Sequence, residues 1–385
     1  MEEKSYYINF DEYIRQGEPE KRERADAWRV AIGLQAVDGL KTSAYLHETA
    51  RRNIEGDITI DEAKALVNQY YITKTDYNEG DTDVEEADRV SANIVKVLSQ
   101  PTFAFNANGF ISVHRRVFEG VLKHAGELRK YDITKKEWVL EGDTVRYLNW
   151  EDLHRALDYD IEKERNRSYS DKSADEMIAQ ISSFVSGLWQ IHPFPEGNTR
   201  TTAVFTIQYL RSLGFNVNND LFAKHSWYFR NALVRANYKN VVKGIEYTPV
   251  FLERFFRNLL LGEQWDLRNR YLHIHSSEEW RVQPNLITQQ LPEQVPEQVT
   301  GLLQPKNPII SELVKVIGLH EYAVSEMMQM MKLKHRPNFL EYHLNPAIAE
   351  GFIQMLYPDK PRHPRQKYLL TAKGMMLYNQ MMKKD

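Results

Sequence analysis

The sequence predicts a mainly α protein with one β-hairpin, followed by a small C-terminal unit of three helices and a strand pair. Three observations carry that prediction. Apolar residues recur at helical spacing through most of the chain, strict alternation around a Gly-Asp turn is confined to residues 131–147, and a Gln- and Pro-rich stretch at 275–306 interrupts the periodicity. With 385 residues and roughly 150 per typical domain, the chain is expected to hold about two to three units. A hydrophobic fraction of 42% beside 27% charged residues excludes wholesale disorder and a fibrous repeat. Fifty basic against 53 acidic residues, a net charge of -3, exclude a binder of nucleic acid or membrane over its whole surface. The absence of cysteine excludes a disulfide framework, a thiolate zinc site and a cysteine nucleophile. The opening MEEKSYYINF lacks the marks of a signal peptide, and no window approaches the roughly 18 apolar residues of a membrane span, so a cytoplasmic location without a membrane partner is expected.

The N-terminal region, 1–100, reads as amphipathic helices through Ala27, Val30, Ala31 and Leu34, then Ala63, Leu66, Val67 and Tyr70. A central core is expected over 101–274. Within it, Tyr131, Ile133, Val139, Leu140, Val145 and Tyr147 surround the Gly142-Asp143 turn and predict the hairpin. From Ala174 to Trp189, the stripe of Met177, Ile178, Ile181, Phe184, Val185 and Leu188 buries one side of a helix. A second helix is expected from Thr201 through Val204, Phe205, Ile207 and Leu210 until Gly214 stops it. Residues 275–306 read as a linker, in which Pro-Glu-Gln-Val occurs at 292–295 and again at 296–299. The remaining 307–385 carry 11 Lys and Arg against 7 Asp and Glu, a local basic surplus in a chain that is acidic as a whole.

The loop between the two central helices reads His-Pro-Phe-Pro-Glu-Gly-Asn-Thr-Arg from His192 to Arg200. A helix opening after it aims backbone N–H groups around Gly197 to Arg200 at an anion. Arg200 can hold a phosphate oxygen, and Glu196 is the hard oxygen ligand that magnesium prefers. His192, with an ordinary pKa of about 6.5, suits a general base that takes a proton from an attacking hydroxyl. The alternative on residue chemistry alone is a capped turn with a buried histidine and a surface ion pair.

This segment resembles the signature of the Fic family, HPFx(D/E)GNGRxxR. The resemblance implies a Fic helical fold, with the hairpin as a target-docking flap, and a protein adenylyltransferase that passes AMP from ATP to a Ser, Thr or Tyr hydroxyl of a protein. It implies His192 as base, Phe194 as core anchor, Glu196 as the Mg2+ ligand, and Gly197, Asn198, Thr199 and Arg200 along the nucleotide cradle. Two positions depart: Thr199 stands for the second glycine, and Ala203 for the final arginine. Loss of one charge-assisted hydrogen bond weakens binding by about ten- to a hundredfold, and a β-branched residue resists positive φ. Residues 49–56, Thr-Ala-Arg-Arg-Asn-Ile-Glu-Gly, resemble the family's inhibitory segment and make Glu55 the expected brake; a simple helix end capped by Gly56 is the alternative. On the flap, Tyr131, Ile133, Val139 and Val145 line the edge expected to receive an extended target segment by strand addition; a hairpin that only covers the core is the alternative.

The C-terminal unit resembles a winged helix-turn-helix. Helices are expected through Leu313 and Val316, through Val324, Met327, Met328 and Met331, and through Phe339, Tyr342, Leu344 and Ile348, with strands at 352–356 and 367–370. The resemblance makes Arg336, Asn338, Lys360, Arg362 and Arg365 available to phosphates of DNA; docking of a protein, or packing on the main body, is the other reading. Two function classes follow, an enzyme directed by this unit, or a nucleotide sensor of weak turnover that regulates DNA through it. The sequence leaves the target, the nucleotide and homo-oligomer formation open.

Overall fold

The computed structural model describes residues 8–15, 18–76, 78–100, 102–217, 221–276 and 303–383. The expected linker lies for the most part outside them. Six helices come first: α1 (Phe10–Arg15), α2 (Pro19–Gly33), α3 (Ala44–Glu55), α4 (Ile60–Thr73), α5 (Asp81–Leu98) and α6 (Ala107–Val117). After an irregular stretch come α7 (Leu153–Arg165), α8 (Ala174–Ile191), α9 (Asn198–Ser212), α10 (Leu221–Lys224), α11 (Ser226–Ala236) and α12 (Val250–Leu261). The mainly helical expectation holds.

Local chemistry sets many of the helix ends. Ser43 caps α3 by accepting from the Leu46 N–H at 3.1 Å, and its own N–H reaches Asp88 of α5 at 2.9 Å, so one residue starts a helix and docks it. Thr59 with Glu62, and Ser173 with Glu176, form reciprocal capping boxes at the starts of α4 and α8. Helix α9 is different in kind: every residue from Asn198 to Leu210 is buried. A helix covered on all sides is the centre of its domain, and α9 packs against α5, α6, α8 and the 3-10 turn Leu34–Asp38. Beneath it lies an aromatic layer, in which Phe105 stacks on Tyr209 at 4.8 Å and Phe110 meets Phe205 edge-on at 5.1 Å.

Two sequence expectations change here. Helix α9 begins at Asn198, capped by Gly197 at φ 71°, three residues before the expected Thr201. The expected β-hairpin over 131–147 forms no strand pair; the segment reverses through a 3-10 turn at Trp138–Leu140. The reason is packing. Val139 and Leu140 are consecutive and both fully buried, which strand alternation forbids, while the tight turn turns both inward and leaves the Val139 carbonyl to accept from Ile274 at 3.0 Å.

A second apolar cluster, from Ile310 to Leu377, unites α13 (Pro308–Ile317), α14 (Val324–Met330), α15 (Arg336–Phe339), α16 (Asn345–Ala349), β1 (Ile353–Met355), β2 (Tyr368–Leu370) and α17 (Ala372–Met382). The strands pair antiparallel, with Gln354 opposite Leu369. The third expected helix is broken by a π turn at Leu340–Leu344, next to Pro346, which has no N–H to donate back. On α14, Met327 and Met328 are buried in this cluster and Met330 is exposed. Helix α17 is a fourth main helix of this unit that the expected three helices and strand pair do not include. It seats this unit on the main body: Ala372 and Met376 join the main core, Asn379 donates to the carbonyls of Ser170 and Lys172, and the Lys373 N–H reaches the Leu213 carbonyl. At that junction Gly214 and Gly351 lie back to back at φ 90° and 77°, and a Cβ on Gly351 would stand 2.1 Å from the Gly214 carbonyl oxygen.

Among the described residues no helix is long and apolar enough to cross a membrane. Gly351→Ala is expected to lower stability by at least about 1–2 kcal/mol from the left-handed backbone alone, and to uncouple the C-terminal unit. Calorimetry should resolve an early transition in the variant that the parent lacks.

Candidate active site

Helix α8 ends by turning left. His192 takes φ 49° and ψ 57°, a conformation uncommon for a side chain other than glycine, asparagine or aspartate, and its surroundings hold it there. Its N–H bonds the Trp189 carbonyl at 3.1 Å, and its own carbonyl accepts from Arg129 Nε at 2.8 Å. The ring lies 4.2 Å from that of Tyr147 and nearly perpendicular to Trp189. Nδ1 stands 3.3 Å from the Trp189 carbonyl, a contact that requires the proton on Nδ1 and leaves the Nε2 lone pair free. Nε2 is buried without a protein partner among the described residues. Burial, then the charge of Lys135, hold the imidazole well below its ordinary 6.5, with Arg129 and Arg230 adding to the effect. His192 is thus neutral near pH 7, with its basic nitrogen unsatisfied.

The loop after it is anchored twice. Phe194 is fully buried and stacks on His114 at 3.7 Å. Burial pushes the His114 imidazole down to about 3. Its Nδ1 accepts from the Gly126 N–H at 2.8 Å, so Nε2–H is the donor to the Glu196 carbonyl at 3.2 Å. The Asn198 amide spans the loop, accepting from the Phe194 N–H at 3.0 Å and donating to the Phe194 carbonyl at 2.7 Å. Its side chain therefore shapes the cradle instead of lining it. Gly197 is indispensable, since a Cβ there would lie 2.3 Å from the Phe118 ring. Thr199, by contrast, is helical rather than positive in φ, and its Oγ1 accepts from Trp189 Nε1 at 3.0 Å. The backbone therefore does not demand the glycine that the resemblance led one to expect.

Arg200 is buried and thoroughly engaged. Nη1 donates to Gln35 at 3.0 Å, Nη2 to Glu86 at 2.7 Å, and Nε lies 2.8 Å from Asp38 Oδ2, an ion-pair distance at which the N–H is not aimed at the oxygen. The guanidinium also covers the Phe118 ring at 4.8 Å. Glu196 is exposed, and Ala203 is wholly in the core. Arg211 donates to the Leu98 carbonyl at 3.0 Å, a structural role that leaves the missing final arginine uncompensated by it.

The structure thus gathers His192, Glu196, Gly197, Asn198, Thr199 and Arg200 at one corner. Glu55 is not among them: its carboxylate pairs with Lys21 at 2.9 Å and accepts from Tyr13. On the flap, Tyr131 is exposed and Ile133 half-buried, while Val139 and Val145 are in the core. Arg336, Asn338, Lys360, Arg362 and Arg365 are all exposed on the C-terminal unit.

Sequence reasoning missed the residues that reach the loop from elsewhere. Glu137 is fully buried, 2.7 Å from Arg230, and accepts from Tyr147 at 3.3 Å. Gln35, Asp38 and Glu86 come from the N-terminal helices. A carboxylate at Glu137 amid the apolar pattern of the flap was the one signal available; the other partners are separated from Arg200 by more than a hundred residues.

The Fic/DOC family model matches residues 104–210, and that of the C-terminal domain of filamentation induced by cAMP protein Fic-like matches residues 308–371. Protein adenylyltransferase VbhT of Bartonella schoenbuchensis is 23% identical over 189 residues, 46% of this chain and 38% of that protein, so the chain spans well under half of that relative's length. Among solved structures, a Fic family protein from Desulfovibrio desulfuricans G20 is 17% identical, with a TM-score of 0.41, over 95% of this chain and 91% of that one. The N-terminal Fic domain of a VirB-translocated Bep effector protein from Bartonella quintana is 18% identical, with a TM-score of 0.37, over 48% of this chain and 84% of that one.

Gly197→Ala is expected to cost about 1–2 kcal/mol from its left-handed backbone plus displacement of Phe118, which also supports Arg200. A fall in the urea midpoint together with a shifted His192 NMR resonance would verify it; an unchanged resonance would show that the loop does not depend on this glycine.

Proposed function

We propose, for a chain that belongs to the Fic family, that it is a protein adenylyltransferase, passing AMP from ATP to a Ser, Thr or Tyr hydroxyl of a protein substrate. The observation that carries this reading is His192 Nε2, buried, unpartnered and unprotonated near neutrality at the mouth of the loop. The target hydroxyl gives its proton to Nε2 as its oxygen bonds the α-phosphorus. The bond from that phosphorus to the bridging oxygen breaks, and pyrophosphate leaves. The first N–H groups of α9, which have no acceptor within the helix, face the phosphates. For Arg200 to join them, phosphate oxygens must take the place of Gln35, Asp38 or Glu86. For Glu55 to act as a brake, its carboxylate must leave Lys21 and Tyr13.

The donor set at the loop fits Mg2+. Glu196 is exposed and forms no ion pair among the described residues, and magnesium needs only one or two carboxylates when substrate phosphates complete its shell. Bound there by Glu196, it would neutralise part of the phosphate charge.

His192→Ala is expected to reduce AMP transfer by about 10²–10⁴-fold, measured by intact mass of modified proteins with ATP and magnesium. Because the base must be neutral and its pKa lies below 6.5, activity should hold from pH 7.5 down to 6.5 and fail only in more acid solution. Transfer that survives His192→Ala would sink the reading.

For the C-terminal unit we propose the contact role of a winged helix. Arg336 and Asn338 on α15, with Lys360, Arg362 and Arg365 on the loop between β1 and β2, expose their side chains, and Gln366 closes that loop on both backbone groups of Tyr357. If DNA is the partner, replacing Arg362 and Arg365 by Ala in the full chain should lower the slope of log affinity against log salt by about one per lost phosphate contact. Binding that is absent or unaltered would leave protein docking as the role.

A further inference from the structure

Thr199 puts a side chain where the signature has its second glycine, and that side chain has a partner. It stands at the second position of α9, only 7% exposed, and its Oγ1 accepts from Trp189 Nε1 at 3.0 Å. Trp189, in the last turn of α8, is itself buried. A buried indole N–H without an acceptor is costly, and a glycine at 199 has no side chain to receive it. The bond therefore ties the end of α8 to the start of α9 across the loop that carries the signature.

Trp189 in turn holds the base with both its backbone and its ring. Its carbonyl accepts from the His192 N–H at 3.1 Å and stands 3.3 Å from Nδ1. Its ring meets the imidazole edge-on, with centroids 5.2 Å apart at 89°. Tyr147 completes the cluster, 4.2 Å from the imidazole and 5.7 Å from the indole. Its hydroxyl donates to the buried Glu137 at 3.3 Å, and Glu137 is paired with Arg230 at 2.7 Å. Each ring packed on the imidazole thus carries its own polar tether, the indole to Thr199 and the phenol to Glu137. The tilt of the imidazole, and with it the direction of Nε2, depends on where those two rings stand, because close-packed neighbours restrict the side-chain torsions between them.

We propose that Thr199 is a positioning residue of this site: its hydroxyl fixes the Trp189 indole, and the indole fixes the tilt of His192, so that Nε2 meets the attacking hydroxyl. This rests on the reading of His192 as the base of AMP transfer. In this role the Thr199 side chain touches neither nucleotide nor target, and its backbone N–H, among the first of α9, has no acceptor within the helix. A reacting atom misplaced by about 1 Å costs on the order of a hundredfold in rate, so a bond one residue removed from the base is enough to govern turnover. Binding of ATP, which is made along the loop, does not depend on it.

The test compares the full chain with Thr199→Val, which keeps the branched shape without an acceptor, with Thr199→Ser, which keeps the hydroxyl, and with Trp189→Phe, which removes the donor. Thr199→Ala takes the place of the valine variant if that does not fold. AMP transfer is followed by intact mass of modified proteins over a range of ATP concentrations with magnesium, and the His192 imidazole by NMR of protein carrying nitrogen-labelled histidine. Thr199→Val should shift the His192 resonances and lower kcat by about ten- to a hundredfold at an unchanged KM for ATP. Thr199→Ser should bring both back to the parent's values. Trp189→Phe should lower kcat too, and Thr199→Val added to it should cost nothing further, because the bond is already absent. Unshifted His192 resonances in Thr199→Val overturn the inference and, where the parent transfers AMP, leave the transferase reading intact. A raised KM at unchanged kcat overturns it as well, since the hydroxyl would then serve the nucleotide. So does a loss in Thr199→Ser equal to that in Thr199→Val, or losses that add in the double variant. A parent that transfers nothing, with resonances that Thr199→Val moves and Thr199→Ser does not, supports the placing of His192 and sinks the transferase reading.

Discussion

One buried guanidinium ties together the segments that have to coincide at this site. Arg129 has no exposed side-chain surface, and it donates to the carbonyls of Tyr131 and Leu148, at the two ends of the flap, and to those of Ile191 and His192, at the end of α8. Its own N–H reaches Pro193 at 2.9 Å. Each buried carbonyl left without a donor would cost about 1–3 kcal/mol, so flap, helix end and loop are positioned as one. The left-handed turn at His192 is stable within this frame, because the His192 carbonyl accepts a hydrogen bond from Arg129.

The frame also determines the chemistry. Cations around a buried imidazole make its protonated form unfavourable, and the contact of Nδ1 with the Trp189 carbonyl leaves Nε2 as the basic atom. The same low-dielectric corner strengthens any interaction of a phosphate with Arg200. Arg200 reaches that corner already engaged by Gln35, Asp38 and Glu86, so phosphate must replace existing partners rather than water. The N-terminal helices therefore take part in the electrostatics of the loop through Asp38 and Glu86, not through Glu55, which is turned to Lys21.

Much of this was legible in particular residues. The stripe from Met177 to Leu188 defined α8 because a helix buried on one side leaves a periodic mark. The loop from His192 to Arg200 was legible because its chemistry is local in sequence. The flap was misread as strands since Val139 and Leu140 sit within an alternating pattern, and only the capture of the Val139 carbonyl by Ile274 shows why both turn inward. Helix α17 was missed because Ala372 and Met376 are apolar toward the main body rather than toward their own unit, and a short methionine-rich tail carries little periodicity. The start of α9 was misplaced by three residues, since polar Asn198, Thr199 and Arg200 look like loop until their burial is known.

The sequence by itself determined the helical character of the chain, the composition of the signature loop and the loss of its final arginine at Ala203, because those depend on spacing and residue type within one stretch. The tertiary structure alone decided that Asn198 clamps the loop, that Thr199 needs no positive φ, and that Arg200 shares its charge with Asp38 and Glu86. The first two depend on how the loop folds back on itself, Asn198 on Phe194 and Thr199 on Trp189, and the sharing of Arg200's charge depends on groups more than a hundred residues apart. Hydrogen bonds and ion pairs at that range leave no periodic trace in the chain that makes them.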